Sequence, residues 1–122
     1  MDTIPKEIIE ECKDKLIQTK FELLNRMKEV KSEYDKQDFG GDEADQSMSV
    51  LAENEFLSTQ NRLRYQLVEI EGALARIERG IYGVCEETEE LIEVERLRAI
   101  PWTRLSIEGA EVREAMEKRF AR

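Results

Sequence analysis

Histidine is absent from this sequence of 122 residues. The commonest general base and the commonest neutral metal ligand are therefore missing. The chain has no nucleophile motif and no glycine-rich phosphate loop, so nothing in it predicts an enzyme. It has no apolar run near the roughly 18 residues that span a bilayer, and its first residues lack the basic start and apolar middle of a secretory signal. We therefore expect a cytoplasmic protein that does not enter a membrane.

Cysteine is scarce, and basic residues are outnumbered. Only Cys12 and Cys85 are present, and we expect both to stay free thiols because a reducing compartment disfavours disulfides. The 28 acidic residues exceed the 19 basic ones and leave a net charge of −9. Phosphate contacts need clustered Lys and Arg, so this balance disfavours direct DNA binding and favours a partner with a basic surface. The length fits one compact domain, and 39% charged residues fit a mostly helical, solvated surface.

Two stripes of apolar residues predict a pair of long helices. The first recurs every seven residues and consists of Ile9, Leu16, Leu23 and Val30. The second has the four-and-three spacing of a coiled-coil seam and consists of Leu63, Leu67, Ile70, Leu74 and Ile77. Gln60 is a polar interruption of that seam, and Gly40 and Gly41 lie among acidic residues between the stripes, as is typical of a short loop. The pattern predicts an antiparallel coiled-coil hairpin over residues 1–79 with a tip loop at about 35–47.

The last third of the chain changes character. Gly80 and Gly83 end the second helix, and the alternating segment LIEVERL predicts a short strand that stops before Pro101. A short terminal helix follows, with one apolar face made by Val112, Met116 and Phe120. We therefore expect a mostly α protein in which residues 80–122 form a small lobe containing a short β-hairpin and a helix.

Several short motifs in one register carry a resemblance to a known family. The segment IYGVCEET places a Tyr-Gly turn before Cys85, RLRAIP follows at residues 96–101, and the acidic motif DEADQS lies at residues 42–47. The chain thereby resembles the DksA/TraR family of bacterial transcription regulators, which combine a coiled-coil arm with a zinc finger. The four cysteine positions of that finger correspond here to Cys85, Thr88, Ser106 and Gly109.

The zinc finger is degenerate in this sequence. Structural zinc sites are four-coordinate and use Cys and His, whereas Cys85 is the single thiol among these positions. One thiolate does not hold the ion, so we predict a lobe without metal, in which Cys85 is a small buried apolar residue. Apolar burial has to replace the metal, and Trp102 is the candidate plug. The residues available for this core are Ile81, Tyr82, Val84, Leu91, Ile92, Val94, Leu97, Ile100, Trp102, Leu105 and Ile107.

The resemblance implies a regulator that binds bacterial RNA polymerase in its secondary channel, brings acidic tip residues near the catalytic site and alters open-complex stability. The implied tip residues are Asp42, Asp45 and Ser47, where Ser47 replaces the family's alanine, and Arg62 is an implied contact on the arm. Capping of the second helix by one of the tip residues is the alternative for the first three, and plain solvation is the alternative for Arg62. The alternative for the whole protein is a helical-hairpin adaptor or antagonist that occupies a partner groove without an active tip.

The resemblance also bears on ligands and assembly. Several family members act jointly with the alarmone ppGpp through basic positions that correspond here to Glu69, Ile100 and Ala110. None of these side chains holds a phosphate, and Glu69 repels one, so we expect weak or absent synergy with ppGpp. A hairpin that satisfies its own seam predicts a monomer.

Overall fold

The computed structural model describes residues 3–121, which are mostly helical. Four helices follow one another: α1 (Lys6–Asp35), α2 (Glu43–Arg79), α3 (Val94–Ala99) and α4 (Ile107–Phe120). The two long predicted helices are confirmed. The loop between them is shorter than predicted, because α2 already begins at Glu43 and includes the second half of the acidic motif. None of the described helices is long and apolar enough to cross a membrane.

Contacts divide the chain into two compact units, and one of them is Thr19–Val68. This unit contains the end of α1, the loop and the beginning of α2, and the two helices pack as an antiparallel hairpin. Leu23 and Leu63 are buried in the seam, and the rings of Tyr34 and Phe56 stack with their centroids 4.3 Å apart. The predicted coiled-coil hairpin is thus confirmed here from cross-helix contacts.

Gln60 interrupts this seam as the sequence predicts. Its side chain is buried, and Nε2 donates a hydrogen bond of 3.2 Å to the backbone oxygen of Met27. Within residues 3–121, its other polar atom, Oε1, has no hydrogen-bond partner. A buried acceptor without a partner opposes folding. The seam is therefore less stable at Gln60 than it would be with an apolar side chain at that position.

The other unit joins the residues up to Gln18 with those from Glu69 onward. Its core draws on the start of α1, the end of α2 and the C-terminal segment, and consists of Ile4, Cys12, Leu16, Ile70, Ala73, Tyr82, Cys85, Ile92 and Leu97. Both cysteines are free thiols, and Cys12 Sγ donates a hydrogen bond of 3.5 Å to the backbone oxygen of Leu97. These units do not follow the expected division at residue 79, because the first turns of α1 supply part of the core of the C-terminal segment.

The expected β-hairpin is reduced to a single pairing. Among the described residues, the strand pairing is one antiparallel bridge between Val84 and Leu91. The predicted strand LIEVERL was wrong over its second half, since Val94–Ala99 is the helix α3. Alternation over so few residues also fits a helix, in which Val94 and Leu97 are three positions apart on one face. Complete burial of Leu97 favours that arrangement.

Trp102 does not plug the core of the C-terminal segment. Its side chain is 36% exposed, whereas the neighbouring Pro101 is buried and its backbone oxygen accepts a 2.8 Å hydrogen bond from the Tyr82 hydroxyl. This bond fixes the turn with the proline facing inward. Other predicted core and apolar-face residues are also exposed: Ile81, Val84, Ile107, Val112, Met116 and Phe120. The helix α4 instead buries Gly109, so its packed face is offset from its apolar stripe.

Candidate functional site

Asp42 and Asp45 lie where the loop enters α2. Asp42 is exposed, and its Oδ1 accepts a hydrogen bond of 2.8 Å from the backbone N–H of Asp45. This is the geometry of a helix N-cap, in which a side-chain oxygen satisfies one of the first backbone N–H groups of the helix. The capping alternative therefore holds for Asp42, whose carboxylate is also well placed for the positive end of the helix dipole.

Asp45 lies against the backbone of the loop. It is only partly exposed, and a Cβ atom added at Gly40 would collide with the Oδ2 of Asp45. The carboxylate and the loop backbone are therefore in close contact, and a residue with a side chain at position 40 would have to displace one of them. At Gly41 an added Cβ meets nothing within 4 Å. The Asp45 carboxylate therefore lies close to the loop backbone at Gly40.

Ser47 and Arg62 are both exposed residues of α2 in the same unit. Ser47 lies in the second turn, close in sequence to the two aspartates. Arg62 is more than four turns further along the helix, since one turn takes about 3.6 residues. The structure thus brings Asp42, Asp45 and Ser47 together at the tip and leaves Arg62 apart from them on the arm.

The four positions that correspond to zinc ligands lie in the other unit, where Thr88, Ser106 and Gly109 all come close to the sulfur of Cys85. Cys85 is 1% exposed, and its Sγ accepts a hydrogen bond of 3.4 Å from the Ser106 hydroxyl. Ser106 is also the N-cap of α4, because its Oγ accepts a 3.0 Å hydrogen bond from the backbone N–H of Gly109. Thr88 Oγ1 accepts from the backbone N–H of Glu90 at 3.3 Å, which stabilises the turn after Cys85.

This set of donors does not fit a tetrahedral zinc ion. It provides one thiol, two neutral hydroxyls and a glycine, whereas structural zinc sites use four Cys or His ligands. At Gly109 an added Cβ would collide with Cys85 Sγ, so a ligand side chain at this position does not fit the present arrangement. Across the described residues, no cluster of three or more His, Cys, Asp or Glu side chains is arranged to hold a metal ion.

The surroundings of Cys85 favour its thiolate. Burial alone raises the pKa of the thiol, but hydrogen bonds from the side chains and backbone of Ser106 and Thr88 outweigh it and lower the pKa of Cys85 to about 6. The side chain is almost inaccessible, which separates it from reactive cysteines, since those are partly exposed. The prediction of a small buried residue agrees with its burial, but the sulfur is hydrogen-bonded rather than purely apolar in its contacts.

A chain of ion pairs surrounds the same region, and sequence reasoning missed it. Arg113 Nη2 on α4 lies 2.8 Å from the Glu87 carboxylate and 3.6 Å from that of Glu86. Arg104 pairs with Glu86 at 3.4 Å and with Glu69 of α2 at 3.2 Å. We call these five residues the ion-pair chain. The hydrogen bond to Glu87 raises the pKa of Arg113. Partners 18 to 35 residues apart leave no periodic signal in a sequence.

The three positions that the family resemblance relates to ppGpp carry no basic side chain. Glu69 accepts hydrogen bonds from Arg104 at 3.2 and 3.4 Å, so its carboxylate is already paired. Ile100 and Ala110 are partly exposed and uncharged. The nearby Arg76 donates to the backbone oxygen of Trp102 at 3.3 Å, and burial together with the charge of Arg104 lowers its pKa.

Comparisons with known proteins agree with the fold and with the sequence motifs. Residues 80–115 match the family described as "Prokaryotic dksA/traR C4-type zinc finger". The chain is 37% identical over 111 residues to the "RNA polymerase-binding transcription factor DksA" of Caulobacter vibrioides, which covers 90% of this chain and 78% of that protein. It is also 37% identical over 112 residues to an uncharacterized protein of Aquifex aeolicus, over 87% of this chain and 76% of the relative.

A solved structure gives the same result in three dimensions. The transcription factor DksA2 from Pseudomonas aeruginosa superimposes with a TM-score of 0.84 at 31% sequence identity. The match covers 93% of this chain and 88% of that chain. The similarity therefore extends well beyond the residues that match the zinc-finger family and includes both helices of the hairpin.

Proposed function

The chain belongs to the DksA/TraR family, and we propose from that membership that it is a transcription regulator which binds bacterial RNA polymerase through the enzyme's secondary channel. The regulator presents Asp42 and Asp45 near the catalytic site, and this alters the stability of open promoter complexes. It is a regulator rather than an enzyme. It acts in the cytoplasm, where its partner is, as a monomer that contacts polymerase rather than DNA.

The position of Asp45 supports the part of the proposal that concerns the acidic tip. Its backbone N–H donates a hydrogen bond to Asp42, and its carboxylate lies close to the loop backbone at Gly40. A carboxylate that is already positioned needs less ordering when it binds, so more of its interaction energy is available at the partner's site. There it can accept hydrogen bonds from basic side chains or from water bound to a metal ion of the partner. Ser47 and Arg62 add polar contacts at the tip and on the arm.

In vitro transcription with the cognate polymerase tests this function. Wild-type protein and Asp45→Asn are compared on a ribosomal RNA promoter at concentrations that give equal occupancy of polymerase. The substitution keeps the size of the side chain beside Gly40 and removes its charge. We expect the wild type to shorten the lifetime of open complexes and the variant to lose that effect while it still binds. Glu53→Gln, which removes a charge from an exposed position of α2, is the control.

Two other results have defined meanings. An equal effect of wild type and Asp45→Asn would indicate that the protein acts by occupying the channel, which is the adaptor or antagonist alternative. Absence of binding to polymerase would reject the proposed function altogether.

The C-terminal segment folds without zinc in this proposal. The mismatch of the donor set and the close approach of Gly109 to Cys85 support a lobe held by burial and hydrogen bonds. The ion-pair chain links the turn after Cys85 to α4, the two elements that carry the four ligand positions, and it also reaches α2 through Glu69. Synergy with ppGpp is weak or absent, because Glu69 is negatively charged and paired with Arg104.

A further inference from the structure

An open groove lies beside the tip carboxylates in the Thr19–Val68 unit. Its volume is about 480 Å³, and it runs between the loop and one face of α2. Its lining includes Asp38, Phe39, Met48, Leu51, Ala52 and Glu55. We call it the tip groove. None of the residues proposed above as partner contacts lines it, so it is a separate feature of the tip.

The floor of the tip groove is apolar and uncovered. Met48, Leu51 and Ala52 are spaced so that they share one face of α2, and Phe39 reaches the groove from the loop. The Met48 and Leu51 side chains are each 60% exposed. Met48 and Leu51 are neighbours on this face and both line the groove, so they form one contiguous apolar patch bordered by charge, which is the kind of surface that binds a partner.

The charge around the tip groove identifies the kind of occupant. Asp38 and Glu55 contribute carboxylates to the lining. From Glu33 to Glu55 the sequence has eight acidic residues, and Lys36 is its single basic one. Like charges repel, so a second copy of this tip is a poor occupant, whereas a basic surface is attracted.

We propose that the tip groove binds a basic segment of RNA polymerase that inserts one large apolar side chain between flanking Lys or Arg residues. The inserted side chain contacts Met48 and Leu51, and the flanking cations pair with Asp38 and Glu55. This inference rests on the proposed function and adds a second anchor to it. The groove contributes affinity for polymerase and fixes the position of the tip on it, while Asp42 and Asp45 produce the effect on the open complex.

Measuring the affinity of the full-length chain for purified polymerase tests the apolar part. Leu51→Ser is compared with Leu57→Ser, which makes the same change at an α2 position that is 47% exposed and does not line the groove. We expect Leu51→Ser to raise Kd about tenfold, the scale of losing one buried apolar side chain, and Leu57→Ser to change Kd less than about twofold. Both positions are exposed, so far-UV circular dichroism should show both variants folded.

The salt dependence of the same affinity tests the rim. Asp38→Asn combined with Glu55→Gln is compared with Glu53→Gln, an exposed position outside the groove. The double variant should associate more slowly and lose part of the salt dependence, because screening acts on exposed charge pairs. The control should retain most of it.

The outcomes distinguish the groove from the function. If the wild type binds polymerase and Leu51→Ser binds equally well, the groove inference is wrong and the proposed function stands. If the wild type does not bind polymerase, both are wrong. Concentration-dependent dimers in sedimentation that Leu51→Ser abolishes would show that the occupant is a second copy, which would also overturn the inference.

Discussion

Asp42 and Asp45 are joined by a hydrogen bond at the start of α2, where the Asp42 carboxylate accepts the backbone N–H of Asp45 at 2.8 Å. The bond gives the two aspartates different physical roles. Asp42 stabilises the end of the helix, and Asp45, which lies close to Gly40, is the carboxylate that the capping interaction leaves available. A substitution at Asp42 therefore removes both the cap and a charge, whereas Asp45→Asn leaves the cap in place and removes a first-turn charge that also interacts with the helix dipole.

Two substitutions at Asp42 separate capping from charge. Asp42→Ala removes the cap and should destabilise the start of α2 by about 0.5–2 kcal/mol, whereas Asp42→Ser keeps an oxygen at that place and should cost much less. Hydrogen exchange of the backbone amides after Glu43 measures the difference. Equal protection in both variants would contradict a capping role for Asp42. If Asp42→Ser stays protected but loses activity in transcription, the charge itself matters to the partner.

Gly40 and Gly41 provide a matched pair for the loop contact. Gly40→Ala places a methyl group where the Asp45 carboxylate lies, so we expect Asp45 to be displaced and the effect on transcription to fall toward that of Asp45→Asn. Gly41→Ala meets open space and should be near wild type. Activity at equal polymerase occupancy is the measurement. Equal activity of the two alanine variants would mean that the position of Asp45 does not depend on this contact.

Gln60 is expected to limit the stability of the hairpin. Gln60→Leu removes the Oε1 atom that has no partner within the described chain, and the Met27 oxygen can still accept its helical hydrogen bond. We therefore expect stabilisation of about 1 kcal/mol in urea unfolding. Gln66→Leu, at an exposed position of the same helix, should change stability by less than about 0.5 kcal/mol. Destabilisation by Gln60→Leu would show that the seam needs the polar contact.

The hairpin was predicted because its apolar pattern repeats over many helical turns. The helix α3 and the exposure of Trp102 were missed because one segment is short and the other depends on a contact between residues distant in sequence. The seven-residue stripe through Leu16 and Leu23 predicted α1, because the same face repeats over many turns. The segment around Val94 is too short for its period to distinguish strand from helix. Trp102 was expected inside because it is large and apolar, yet the Tyr82 hydrogen bond turns the neighbouring proline inward instead.

The candidate site was predicted unevenly for the same reason. The acidic motif is contiguous, so its residues were found together, although which aspartate caps α2 depends on backbone geometry. The ion-pair chain joins Glu69, Glu86 and Glu87 to two arginines far along the sequence. In the sequence these residues cannot be told apart from ordinary exposed charged residues. The tip groove depends on Phe39 from the loop meeting α2, which no helical period indicates.

Stability should depend on pH through Cys85. Hydrogen bonds lower the folded pKa of this thiol to about 6, whereas the unfolded thiol titrates near 8.5. The folded state therefore prefers the thiolate, so this contribution is complete above about pH 8.5 and is lost as the pH falls toward 6. With no histidine in the chain, few other groups titrate in that range.

Chemical unfolding between pH 6 and 9 measures this dependence. The free energy of unfolding should rise with pH by at most about 1.4 kcal/mol per unit in the wild type. Cys85→Ser, which keeps a small polar side chain without a titrating thiol, should flatten the slope. An identical slope in the variant would mean that the thiol titrates alike in folded and unfolded chains.

Removal of metal should leave the fold intact. We expect substoichiometric zinc by elemental analysis and no change in near-UV circular dichroism when EDTA is added, because the Cys85 region provides only one zinc-binding side chain.

Gly109→Cys alone should destabilise the protein, since its Cβ collides with Cys85 Sγ in the present arrangement. Combined with Thr88→Cys and Ser106→Cys, the same substitution completes a four-thiol set, and zinc should then restore stability. Stoichiometric zinc in the wild type, with unfolding on chelation, would overturn the metal-free lobe. If zinc stabilises the triple variant and does not change the stability of the wild type, the wild type fails to bind zinc because it lacks these three cysteine side chains.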